Sequence, residues 1–230
     1  MRCRDTKSFP IFLVVVGILL FFMQNVPASP IPAVTITSPG IASTSGMVPY
    51  AVYGFQFQPN RDILVTQLGM FDYNGDGFVN THSVGLWSEL GALLTSVVLT
   101  PNDPGFFLDG FRYHDITPLR LESGTYFRIA ADYASGPDED KSDSDILPLD
   151  THVFSTDITW LNSAGTGAST AGLEFPWGLG ASTGNQPSAI LGPNFLFEPV
   201  PEPSTWILLS FGLIGLAVFK KRLMKKPKHG

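Results

Sequence analysis

The segment 48–198 predicts an all-β domain, an antiparallel β-sandwich or jelly roll, and three features of the sequence carry that prediction. Apolar residues show almost no helical periodicity. Short aromatic and β-branched runs recur instead, and dense turn chemistry separates them: Pro59-Asn60, Asn74-Gly75-Asp76-Gly77, Pro101-Asn102-Asp103-Pro104-Gly105 and Ser123-Gly124. Several short strands at such spacing, with no alternating helices, describe packed antiparallel sheets.

The first strand is expected over Tyr50–Gln58, where Tyr53, Phe55 and Phe57 alternate with Gly54, Gln56 and Gln58. A period of two with one apolar set is what a half-buried strand requires. Ile63–Phe71, His82–Trp87, Leu93–Thr100 and Phe106–Tyr113 follow, each bounded by turn residues. Thr125–Tyr133 is less regular, but its Thr-Tyr-Phe-Arg-Ile core is rich in strand formers. His152–Trp160 and Ala189–Phe197 complete the set. Between them, 138–145 is acidic and 162–185 is rich in Gly, Ser, Ala and Thr, so both read as long surface loops of the same domain. Residues 29–47 read as a linker or a first edge strand.

The two ends are of another kind. Arg2, Arg4 and Lys7 precede an apolar run, Phe9–Met23, and Val26-Pro27-Ala28-Ser29 offers small residues for cleavage after Ala28. This is the order of a secretory signal peptide over 1–28; an uncleaved anchor is the other reading. At the far end Val200-Pro201-Glu202-Pro203 leads into the apolar stretch Trp206–Phe219, then Lys220, Lys221 and Arg222. Fourteen residues of helix rise about 21 Å, less than the roughly 30 Å of a hydrocarbon core. Its flanks favour a span nonetheless: Trp206 suits the interface, and the cations over 220–228 form a cytoplasmic stop whose lysines snorkel.

Charge follows the same division. Between Ser29 and Glu198 the chain holds 18 of its 20 acids and 5 of its 14 cations, a net of −13. Such a domain repels nucleic acid. The single cysteine, Cys3, lies ahead of the first apolar run, so a cleaved product has no thiol for a disulfide, a thiolate metal site or a nucleophile.

Pro201-Glu202-Pro203, a short apolar helix with Gly212 and Gly215, and a terminal basic cluster together resemble the PEP-CTERM sorting signal. The resemblance covers 201–226, within a tail taken as 199–230. It implies recognition by an exosortase-type transpeptidase, after passage through the Sec machinery and signal peptidase, in a bacterium that makes exopolysaccharide. A second resemblance spans Val48–Tyr133. Gly54-Phe55-Gln56-Phe57, Leu68-Gly69-Met70-Phe71, Val84-Gly85-Leu86-Trp87, Gly91-Ala92-Leu93-Leu94 and Gly124-Thr125-Tyr126 come in the order of a β-sandwich domain of unknown function from bacterial extracellular proteins. It implies architecture and a binding or structural role, with no catalytic residues to transfer.

Chemistry-bearing patterns are few. Asp72-Tyr73-Asn74-Gly75-Asp76-Gly77 has the opening spacing of a calcium loop, with Asp72, Asn74 and Asp76 as oxygen ligands. Position twelve is Ser83 rather than Glu, and the same residues make a tight strand connection; both readings stand. The acidic run from Asp138 to Asp145 reads as a solvated loop. Gly180-Ala181-Ser182-Thr183-Gly184 matches a nucleophile elbow without the strand, helix or later histidine that chemistry needs. His82, His114 and His152 lack metal-site spacing. Trp87 and Trp160 read as core, whereas Trp177, in Phe175-Pro176-Trp177, is the candidate for stacking on a sugar ring.

The expectation is therefore an exported, non-enzymatic protein of the cell surface or exopolysaccharide matrix, anchored as a precursor through its tail. Its expected role is structural, adhesive or weakly carbohydrate-binding, and it needs no cofactor unless calcium. Two rivals are a secreted glycan-active enzyme using carboxylates such as Glu89, Glu122 or Glu174, and an ice-binding protein, for which no Thr-x-Thr ladder is present.

Overall fold

A computed structural model describes residues 29–37, 52–72, 80–101, 104–132, 152–166, 172–180 and 192–201. It also gives the backbone of 146–148 and 188–190 and the isolated positions 75, 77, 78, 212 and 215. The expected signal peptide, the acidic run 138–145, Asn74, Asp76, Ala181–Gly184 and the tail from Glu202 onward, Gly212 and Gly215 apart, lie outside them.

The described chain is all-β and antiparallel. In order, the strands are β1 (Ile31–Pro32), β2 (Val34–Ile36), β3 (Val52–Pro59), β4 (Ile63–Phe71), β5 (His82–Ser88), β6 (Leu93–Leu99), β7 (Phe106–Leu108) and β8 (Phe111–Leu121). They continue with β9 (Phe127–Asp132), β10 (Ile146–Pro148), β11 (His152–Phe154), β12 (Ile158–Gly165), β13 (Gly178–Gly180), β14 (Ser188–Ile190) and β15 (Pro193–Pro199). A five-stranded sheet runs β1-β15-β4-β8-β7 and a six-stranded sheet β13-β12-β3-β9-β5-β6; β10-β14 and β11-β2 form two-stranded ribbons.

One apolar core lies between the two large sheets. Phe55 and Phe57 of β3, Val84 and Leu86 of β5, and Ile129 of β9 meet Ile63, Val65, Leu68 and Met70 of β4 and Phe195 and Phe197 of β15. Phe57 and Phe195 bridge the sheets with ring centroids 4.9 Å apart. The alternation in β3 is thus the cause of the layer: its aromatics enter the core while Gln56, cross-strand from Arg128, lies on the other face. Gly54 has a separate reason to be glycine. A Cβ there would fall 1.9 Å from the Ile129 carbonyl oxygen, so β3 and β9 approach too closely for any side chain.

Several expected boundaries change, and part of the stretch 162–185 expected as loop is strand, since β12 runs on to Gly165 and pairs there with β13. Phe106–Tyr113 is two strands, because Asp109 (φ 51°) and Gly110 (φ 84°) form a two-residue turn in the left-handed region that reverses the chain. His152–Trp160 is likewise split, the Ile158 N–H bonding back to the Ser155 carbonyl at 2.9 Å. Ala189–Phe197 divides before Pro193 into β14 and β15. Finally, β8 runs on to Leu121 through Pro118. Among the described residues no strand pairs with its outer side beyond Tyr113, and the register against β4 shifts between Val65 and Gln67. Proline is tolerated where an edge and an irregularity coincide.

Candidate functional site

The last strand leads directly out of the sandwich. β15 pairs with β4 down to Glu198↔Leu64 and Pro199↔Ile63, and the Val200 N–H then donates to the Asp62 carbonyl at 2.9 Å. Asp62 organises this end of the domain. Its Oδ2 accepts from the Arg120 guanidinium at 2.5 Å and its Oδ1 from the Ser123 backbone N–H at 2.9 Å. Neighbouring loops are tied on: Gly124 N–H to the Pro59 carbonyl, Asn60 N–H to the Asp157 carbonyl, and Asn60 Nδ2 to the Thr156 carbonyl. A cavity of about 270 Å³ opens among Asn60, Arg61, Asp62, Arg120, Ser123, Val200 and Pro201.

The Ser123 N–H, followed by the Arg120 side chain, holds the Asp62 carboxyl below its ordinary value of 3.8. A depressed carboxylate contributes stability above its unfolded pKa and loses it as pH falls through the folded one. Asp62→Asn should therefore flatten the acid limb of a melting-temperature profile below about pH 4. An unchanged limb would show that this clamp does not couple to folding.

Pro201 is the last residue of this continuous described segment. The sequence model of the PEP-CTERM protein-sorting motif matches residues 199–222. This chain carries a PEP-CTERM sorting motif. No curated protein and no solved structure matches it. The motif implies an exported, membrane-anchored precursor processed by an exosortase. Of the signature residues Pro201, Glu202 and Pro203, the first lies on the rim of the cavity; the other two, the apolar stretch apart from Gly212 and Gly215, and Lys220, Lys221 and Arg222 lie outside the described residues. The PEP-CTERM match begins on the final residue of β15. From Pro201 to Trp206 the chain spans at most about 18 Å, however extended.

The expected calcium ligands are placed in part. Asp72 is fully buried, and its carboxylate already has a cation: Arg112 Nε donates to Oδ2 at 2.8 Å, and its Nη2 lies 2.6 Å from the same oxygen. The same Nη2 donates to the Gly75 carbonyl at 3.2 Å, while the Gly77 N–H donates to Asp72 Oδ1. A guanidinium thus engages a carboxylate and a loop carbonyl, two oxygens a calcium loop would offer a metal. Asn74 and Asp76 are outside the described residues. Among the described residues no group of three His, Cys, Asp or Glu is arranged to hold a metal.

Trp87, 3% exposed, and Trp160, half-buried against the core, pack inside the fold. Trp177 stands out at 68% exposed. The segment before it lies across the outer face of the six-stranded sheet, where Leu173 and Phe175 pack on Val52, Trp87 and Ala130. Arg128 pins it, with Nη1 donating to the Pro176 carbonyl at 2.6 Å and the guanidinium 4.7 Å from the Phe175 ring centroid. Burial draws the Arg128 guanidinium below its ordinary range, and Glu89 opposes the shift. Trp177 N–H closes a three-residue turn onto the Phe175 carbonyl at 2.8 Å. An exposed indole is thereby held on a fixed frame.

The sequence alone assigned no role to Asp62, Arg112, Arg120 or Arg128. One signal was available: only five cations stand in an acidic domain, and four of them are arginines. Arg128, flanked by Phe127 and Ile129-Ala130-Ala131 in one strand, is a candidate for a buried, bonded guanidinium.

Proposed function

We propose that this protein is a non-enzymatic component of the cell surface or exopolysaccharide matrix, delivered there by its PEP-CTERM tail, with a structural or adhesive role and weak affinity for carbohydrate. The observation that carries the reading is the motif match at 199–222, beginning where β15 ends. Replacing Pro201, Glu202 and Pro203 together by alanine should leave the precursor in the membrane fraction of the native host. If the variant partitions as the wild type does, the tail does not direct the protein.

The carbohydrate element rests on Trp177, whose exposed ring offers an apolar face to the C–H face of a sugar. Among neutral and uronate-containing polysaccharides, the acidic domain favours the neutral ones. Trp177→Ala should reduce retention on a neutral glucan matrix about tenfold, in the range of one lost aromatic contact. Its melting temperature should stay unchanged. Equal retention by wild type and variant would remove Trp177 from the binding surface.

A further inference from the structure

The linear motif accounts for which chain is sorted; the geometry of its exit bears on what else the sorting enzyme touches, and this inference rests on the sorting role proposed above. We propose that the rim around Arg61 is part of the surface the sorting enzyme recognises, so that the enzyme reads the folded end of the sandwich together with Pro201. Pro201 is both a residue of the motif and a wall of the 270 Å³ cavity formed with Arg61, Asp62, Arg120, Ser123 and Val200. An enzyme pocket that closes on Pro201 necessarily comes against those neighbours. No slack separates the two, because Val200 is hydrogen-bonded to Asp62 and Pro199 is paired with Ile63.

The partner's chemistry follows from the charges at the rim. Two of the five cations in the acidic domain, Arg61 and Arg120, line this one cavity. Arg120 is engaged by Asp62, whereas Arg61 is solvent-exposed at the tip of the β3–β4 turn. A domain of net charge −13 would otherwise repel an acidic surface, so the rim fits an enzyme entrance that presents a carboxylate to Arg61. Asp62, bonded through its carbonyl to the Val200 N–H and through its carboxylate to Arg120 and the Ser123 N–H, ties the exit to the β3–β4 turn that carries Arg61.

The test uses the full chain in its native host and follows processing by pulse-chase. Arg61→Glu should slow removal of the tail about threefold to tenfold, while the melting temperature stays unchanged because the side chain is exposed. Inserting eight Gly and Ser residues between Val200 and Pro201 moves the rim away from the motif. In that background Arg61→Glu should have no further effect. Processing of Arg61→Glu at the wild-type rate overturns the proposal, and so does a defect that persists in the insertion background. A defect that follows the anionic-lipid content of the membrane instead would assign Arg61 to lipid and also overturn it. The alanine triple variant at 201–203 separates the two readings: if that variant is processed normally, the sorting role itself fails, whatever Arg61 does.

Discussion

Arg112→Met should destabilise the domain by about 3–5 kcal/mol, read as a shift in the midpoint of a denaturant melt. Asp72 is wholly shielded from water, its side chain 1% exposed, and Arg112 is the cation facing it. Removing the guanidinium leaves a carboxylate in a low-dielectric setting, with the Gly77 N–H at 3.2 Å as a remaining donor. Methionine keeps much of the apolar stem and loses the guanidinium, whose carbon stands 5.7 Å from the Phe107 ring centroid, so the loss reports charge more than volume. The loop should suffer as well, since Nη2 also holds the Gly75 carbonyl and Nη1 reaches that of Gly105. Combining Asp72→Leu with Arg112→Met should recover most of the loss, because the buried charge then goes with its partner. A single variant within 1 kcal/mol of wild type would mean that water reaches Asp72 freely.

Asn194→Ala should cost about 4 kcal/mol, through polar groups left unpaired in the interior. Asn194 is fully buried where the N-terminal chain leaves one sheet for another. β1 pairs with β15, Ala33 N–H still bonds the Phe195 carbonyl, and β2 then pairs with β11 instead. At that departure the Asn194 amide replaces a missing rung of the ladder: Oδ1 accepts from Val34 N–H at 3.2 Å and Nδ2 donates to the Val34 carbonyl at 2.8 Å. The same Nδ2 donates to the Tyr113 hydroxyl oxygen at 2.8 Å. Burial, aided by Asp109, pushes the Tyr113 hydroxyl well above its ordinary pKa and keeps it neutral. Asn194→Asp should be at least as damaging, since it places a charge there and removes the amide donor. Loss of amide-exchange protection at Val34 would trace the effect to this strand crossing.

The layer architecture is legible because β3 alternates regularly, sending Phe55 and Phe57 to one core, and because strand formers bounded by turn residues crowd β4 and β9. Where the sequence misleads, a local rule was masked by composition. Phe106–Tyr113 reads as one run since its residues are nearly all strand formers, yet the Asp109-Gly110 pair inside it is a strong hairpin signal. The extension of β8 through Pro118 has no sequence signal, because a proline fits a strand only at an edge, and the sheet order shows that β8 is one at that level among the described residues. The sorting tail is legible for a different reason: its recognition is linear, so adjacent residues carry it. The clamp at the exit is not linear. Asp62 meets Ser123 and Arg120 across about sixty residues, and Arg112 meets Asp72 across forty, contacts that no spacing rule reports.

A folded acidic sandwich that ends flush with its sorting motif is the central feature of this molecule. Intact-mass measurement of the protein recovered from the surface or matrix fraction of the native host tests it most directly. The expected product begins at Ser29 and lacks the apolar stretch and basic cluster, its new end lying between Pro201 and Trp206. A recovered chain that still carries residues 206–230 would contradict it.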